Sequence, residues 1–156
     1  MLKAGDIAPL EIQLYNKHGK EVKLSDFLGQ NIVLYFYPKD YTPGCTQQAC
    51  DFRDNYSLIQ KLGAKVIGVS ADDKKSHEGF KSKHELNFEL LSDTDKKLMN
   101  AFGVIKEKKM FGKSFLGIQR STFILDEKGK IIKVWEKVNV KNHIKEVVEF
   151  LEKFAK

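Results

Sequence analysis

Cysteine, arginine and proline are scarce in this 156-residue chain, which holds two cysteines, three prolines and only two arginines among its 27 basic residues. Two cysteines are too few to staple a domain of this size. With 42% hydrophobic and 11% aromatic residues, the chain can bury a core that needs no staple. The pair therefore reads as reduced thiols in a cytoplasmic protein. No apolar run approaches the roughly 20 residues that span a bilayer. The opening MLKAGDIAPL has no long apolar stretch behind basic residues, so an unexported, soluble protein is expected. The shortage of arginine also counts against nucleic acid as a partner, despite a formal net charge of +6. The lysines are spread along the chain among 21 acids, as on a solvated surface. Pro9, Pro38 and Pro43 all lie near the front, and no repeat or low-complexity tract marks a linker. One domain over residues 1–156 is expected.

What is present has the periodicity of an α/β protein. Two short alternating runs around an HGK turn predict an N-terminal β-hairpin within residues 11–24. NIVLYFY, residues 31–37, is apolar at six of seven positions and predicts a strand covered on both faces. Thr42 followed by Pro43 is an N-cap with proline at the first helical position. Apolar side chains at Cys45, Ala49, Phe52, Tyr56, Ile59 and Leu62 continue that helix, and Gly63 stops it. KVIGVSA, residues 65–71, returns as a second buried strand and completes a βαβ unit. A helix over 74–84, a strand near 88–91 and a helix near 94–102 follow. Residues 106–119 form a mostly polar excursion turning at Gly112, with the look of a hairpin face. STFILDEKGKIIKVWEK gives an antiparallel hairpin. A last amphipathic helix, about 142–154, has an apolar face better suited to packing on the sheet than to lying on a membrane. This order matches a thioredoxin-like architecture: a central mixed β-sheet flanked by helices, with an N-terminal β-hairpin.

Both cysteines fall at the start of the first long helix. Cys45 lies in its first turn, near unpaired backbone N–H groups and the positive end of the helix dipole, where a thiolate is favoured. A helix terminus contributes at most about 2 kcal/mol, so a second, permanent positive charge is called for. Arg120, immediately before the apolar run STFIL in a chain that otherwise uses lysine, is the candidate; a surface ion pair is the alternative. Arg53, farther along the same helix, reads as structural. Cys50 poses a geometric problem. On an ideal helix, residues five apart are about 8.6 Å apart at Cα, whereas a disulfide requires less than about 7 Å. A bond between the two thiols would require the first turns to unwind. Three readings compete: two inert buried thiols, a zinc site and redox catalysis. Against zinc, His77 and His84 are separated by six residues rather than three to five, and the helical cysteines diverge. The C-x-x-C spacing of a thioredoxin-type dithiol is absent.

YPKDYTPGCTQQACDFRD, residues 37–54, closely resembles the active-site segment of the Q-type peroxiredoxins, also called bacterioferritin comigratory proteins. Pro38, Thr42 and Cys45 match the family's P-x-x-x-[TS]-x-x-C signature, Cys50 matches a resolving position used by many members, and GIQRSTFILDEKGKI resembles the segment carrying the active-site arginine, here Arg120. The resemblance implies a thioredoxin fold and a thiol peroxidase without bound cofactor or metal. Cys45 would attack hydrogen peroxide or an organic hydroperoxide, and Cys50 would resolve the sulfenic acid in an intramolecular disulfide. Thioredoxin or a similar dithiol would reduce that bond. Arg120 would hold Cys45 ionised and, with the Thr42 hydroxyl and loop N–H groups, stabilise charge on the peroxide oxygens. Pro38 would shield the sulfur. The cycle needs no dimer, so a monomer or weak homodimer is expected, with neither nucleic acid nor membrane as partner. Gln48 and Tyr41 depart from the carboxylates many relatives carry and imply altered tuning. A thioredoxin-like disulfide reductase and a non-catalytic binding or chaperone module are the alternatives.

Overall fold

The computed structural model of the chain describes residues 1–154. Its strands are β1 (Leu14–Tyr15), β2 (Glu21–Val22), β3 (Asn31–Phe36), β4 (Ala64–Ser70), β5 (Glu89–Ser92), β6 (Ile105–Met110), β7 (Lys113–Ile118), β8 (Ser121–Leu125) and β9 (Ile131–Trp135). The helices are α1 (Pro43–Lys61), α2 (Lys74–Lys83), α3 (Lys97–Phe102) and α4 (Val140–Phe154). Seven strands form one mixed sheet in the order β2-β1-β5-β4-β3-β8-β9, while β6 and β7 pair only with each other. β3 is an interior strand, parallel to β4 and antiparallel to β8.

The two-residue period of β3 divides the core. Ile32, Leu34 and Phe36 pack with Leu98, Met99 and Phe102 of α3 on one face of the sheet. Val33, Tyr35 and Tyr37 face Ala49, Phe52 and Ile59 of α1, Phe80 of α2, and Val147 and Leu151 of α4 on the other. A strand buried on both faces is what the apolar run predicts. Gly68 of β4 is required by this packing, since a Cβ there would lie 2.8 Å from the Tyr35 ring and 2.9 Å from Leu90.

Local chemistry shifts several boundaries. The N-terminal hairpin pairs over only two residues per strand, because the Asn16 side chain accepts from the N–H groups of His18 and Lys20 and makes a compact loop. α3 begins at Lys97 rather than near Thr94. The Asp93 carboxylate accepts from the N–H groups of Leu98 and Met99, and Lys96 takes a left-handed conformation at φ 58°, so the chain turns before it coils. α4 starts at Val140, two residues ahead of the predicted Asn142.

Candidate active site

β3 delivers the chain to the C-terminal edge of the sheet, and the loop of residues 38–42 carries it into α1. Thr42 occupies the N-cap with extended backbone (φ −75°, ψ 150°), and Pro43 follows. The expected side-chain cap is not formed. Thr42 Oγ1 donates instead to the Lys39 carbonyl at 2.9 Å, closing the loop on itself. Its proton is thereby engaged while its lone pairs remain able to accept. Cys45 is the third helical residue and is 1% exposed, set in the core layer with Tyr35, Tyr37, Ala49 and Phe52.

Arg120 lies between β7 and β8, its carbonyl accepting from Val138 N–H at 2.9 Å. Its guanidinium is laid along the first turn of α1. Nη1 donates to Gln48 Oε1 at 2.7 Å, and a Cβ built on Gly44 would stand 3.1 Å from Nη2. Gly44 and Gln48 are one helical turn apart with Cys45 between them, so the permanent charge sits beside the first turn that carries the thiol. Gln48 itself is buried, and its Nε2 has no partner among the described residues. The residue that departs from the family pattern is thus the anchor of the arginine. Arg53 caps the far end of α2, donating to the His84 carbonyl at 2.7 Å, a structural role as expected.

Two further groups surround this site. Tyr35 is wholly buried behind it, with no partner for its hydroxyl among the described residues. Burial first, then the neighbouring charges of Cys45 and Asp40, push that phenol well above its ordinary range, so it stays neutral. His143 of α4, buried edge-on against Phe52 and Trp135, has Nε2 2.8 Å from the Thr122 hydroxyl. Burial, and then the charge of Arg120, lower it to about 4.

The loop is held from beneath by α2, an arrangement the sequence reading missed. Asp40 is buried and accepts from Tyr37 Oη at 2.6 Å and Ser76 Oγ at 2.8 Å, and it lies 2.7 Å from His77 Nδ1. His77 Nε2 faces the Leu91 carbonyl at 3.1 Å. A carbonyl can only accept, so the proton on Nε2 is fixed by its partner. Asp40 N–H in turn donates to Asp72 at 2.7 Å. Asp40, Asp72 and His77 are close enough to share an ion, yet both ring nitrogens are turned to acceptors inside the network. Beside them, Tyr41 adopts φ 68° and lays its ring against Phe80 and over Gly79, where a Cβ would come within 2.5 Å of its hydroxyl. The one signal in the sequence was glycine at position 79 inside a helix, one helical residue beyond Glu78 and two beyond His77.

Pro38 and Arg120 open onto a cleft of about 530 Å³ whose other lining includes Lys108, Met110, Phe115 and Val138. Cys50 is half-buried farther along α1, and both thiols are free. α1 is continuously helical across them, so any bond between the two sulfurs would require local unwinding. Of the residues singled out from sequence, Pro38, Thr42, Cys45 and Arg120 are thus gathered around one helix start, and Cys50 is held on the same helix.

The family model described as "AhpC/TSA family" matches residues 4–134. The chain is 52% identical over 150 residues to the Peroxiredoxin Bcp of Bacillus subtilis, covering 96% of this chain and 95% of that one. It is 45% identical to the Peroxiredoxin Bcp of Escherichia coli K12, covering 99% and 98%. The solved structure of the Xanthomonas campestris bacterioferritin comigratory protein, described for its alkyl peroxide reduction activity, superposes with a TM-score of 0.92 at 42% identity, covering 99% of this chain and all of that one. A cysteine at a helix start, an arginine folded along that turn and likeness over nearly the full length together place the chain in the AhpC/TSA family, among the Q-type (bacterioferritin comigratory) peroxiredoxins.

Proposed function

We propose that the chain is a single peroxiredoxin domain, a thiol-dependent peroxidase with Cys45 as the peroxidatic and Cys50 as the resolving residue. The observation that carries this reading is the Arg120 guanidinium lying along the turn that holds Cys45. Helix terminus and guanidinium act together to favour sulfur in its anionic, nucleophilic form. The Cys45 thiolate attacks the terminal oxygen of a hydroperoxide. The O–O bond breaks, the hydroxyl passes to sulfur as a sulfenic acid, and the alkoxide or hydroxide that leaves takes up a proton. Arg120 faces the oxygens on which negative charge grows. Thr42, its hydroxyl donating to the Lys39 carbonyl, accepts from the peroxide O–H and so orients it. This is a narrower role than donation to the oxygens. Pro38, in the wall of the cleft beside Arg120, shields the sulfur.

The Cys50 thiol then condenses with the sulfenic acid, giving a disulfide and water. Because α1 is wound in the reduced protein, this step follows opening of its first turns. A dithiol protein of thioredoxin type returns both thiols by exchange and is itself oxidised to a disulfide. No helix among the described residues is long and apolar enough to cross a membrane.

Peroxide consumption by Cys45→Ser tests the assignment: activity coupled to a dithiol falls to the uncatalysed background. Cys50→Ser still forms a sulfenic acid, trapped by dimedone, which persists or overoxidises. Wild-type turnover by Cys45→Ser would refute the reading.

A further inference from the structure

The β6–β7 hairpin stands outside the seven-stranded sheet, and it presents the greatest density of exposed apolar side chains among the described residues. Phe111 is 95% exposed, Leu116 73% and Met110 57%, with Phe115 also exposed. Solvated proteins scatter such residues singly; a cluster marks a contact surface. The turn at its tip strengthens this. Met110 pairs with Lys113, leaving Phe111 and Gly112 as a two-residue loop with φ 53° and 76°. That turn requires left-handed backbone at both positions, where Asn, Asp or Gly is favoured. Phenylalanine there is strained, and its ring is exposed rather than packed in the core.

The charge on this surface selects the partner. Lys106, Lys108, Lys109 and Lys113 stand against the single Glu107 on the hairpin. The cleft that the hairpin shares with Pro38 and Arg120 adds Lys137. The partner face must therefore be acidic around an apolar centre. The hairpin also shares its cleft with Pro38 and with Arg120, whose guanidinium reaches the first turns of α1 at Gln48.

Resting on the peroxidase reading, we infer that the β6–β7 hairpin is the docking surface for the reducing protein, a dithiol protein with an acidic, apolar-centred face around its thiols. Its Phe111 tip supplies the apolar anchor and its lysines steer the encounter. The exchange is the one already balanced: the partner thiolate attacks one sulfur of the Cys45–Cys50 bond, and the mixed disulfide is resolved by the partner's second thiol.

Phe111→Ser and Lys113→Glu test this, since neither residue lines the cleft. Each variant is oxidised with diamide, so that the reductive half-reaction is measured whether or not peroxide chemistry operates. Reduction by an acidic thioredoxin is then compared with reduction by dithiothreitol. We expect the thioredoxin rate constant to fall at least about tenfold in either variant, with the dithiothreitol rate unchanged. Raising the salt should slow the wild-type thioredoxin reaction more than that of Lys113→Glu. Equal thioredoxin rates in variant and wild type would overturn the inference, as would a parallel fall with dithiothreitol. So would a Phe111-dependent attachment to anionic vesicles, or self-association, that leaves the thioredoxin rate unmoved. Failure of peroxide to oxidise the wild type would instead sink the peroxidase reading alone.

Discussion

The two walls of the cleft are built in opposite ways. On one side, the loop of residues 38–42 is tied down by a buried network of Tyr37, Asp40, Ser76 and His77, and by the Tyr41 ring lying on α2. On the other, the β6–β7 hairpin pairs only with itself and turns large apolar side chains to solvent. A site that must place one sulfur, one guanidinium and a small peroxide within tenths of an ångström needs the first kind of wall. A surface that must accept and release another protein needs the second. Rigidity and exposure are segregated, and α1 lies at the junction, with a first turn that in the proposed cycle is ordered for attack and opens for resolution.

The largest effect should come from breaking the anchored wall. His77→Ala removes one of the three side-chain partners of buried Asp40 and opens a cavity beside it, and a buried large-to-small change of this kind costs about 3–5 kcal/mol. Urea unfolding should show that loss, together with faster amide exchange across residues 40–46. Next, Arg120→Met should lower the rate of Cys45 oxidation by peroxide roughly 100- to 1,000-fold, the range for removing one charge-stabilising donor. Thermal unfolding of the variant would show that the fold survives.

The core layer behind the site also carries a pH dependence. His143 is lowered to about 4 in the folded protein by burial and by Arg120, so between its unfolded value near 6.5 and about 4 the unfolded chain binds the proton more strongly. Stability from this group is complete above about 6.5 and is lost as pH falls toward 4, on the order of 3 kcal/mol in all. The difference in denaturation midpoints between wild type and His143→Gln, followed from pH 7 to pH 4.5, isolates it. A smaller effect is expected of Gly44→Ala. Its Cβ would press on Arg120 at 3.1 Å and should slow peroxide reduction about tenfold with little change in helix stability. Smallest of all, Phe111→Ser should alter stability by less than about 0.5 kcal/mol, which separates the hairpin from the anchored wall.

Much of this was legible in the chain because it is encoded locally. The apolar run at 31–37, the Thr42-Pro43 start of α1 and the Gly63 stop each depend on a few adjacent residues, and each is found within a residue or two. Cys45, Thr42 and Pro38 fall inside one short segment. Arg120 was legible for a different reason: in a chain with only two arginines, one set immediately before an apolar run marks a place where fork geometry and permanent charge matter. What escaped depends on topology. Gln48 meets Arg120 across 72 residues, and His77 meets Asp40 across 37. Neither pairing has a periodicity, so Gln48 looked like altered tuning and His77 like a weak zinc ligand. The Thr42 side-chain cap failed because the Lys39 carbonyl, brought back by the loop, competes for the hydroxyl.

The central claim is that one sulfur reacts with peroxide at a helix start and is then captured by its neighbour when the helix opens. Intact-mass measurement of the reduced protein, taken after addition of less than one equivalent of hydrogen peroxide, tests it directly. The account predicts a species lighter by two hydrogens, with peptide mapping joining Cys45 to Cys50. An unchanged mass, or stable oxygen adducts with both thiols still unjoined, would contradict it.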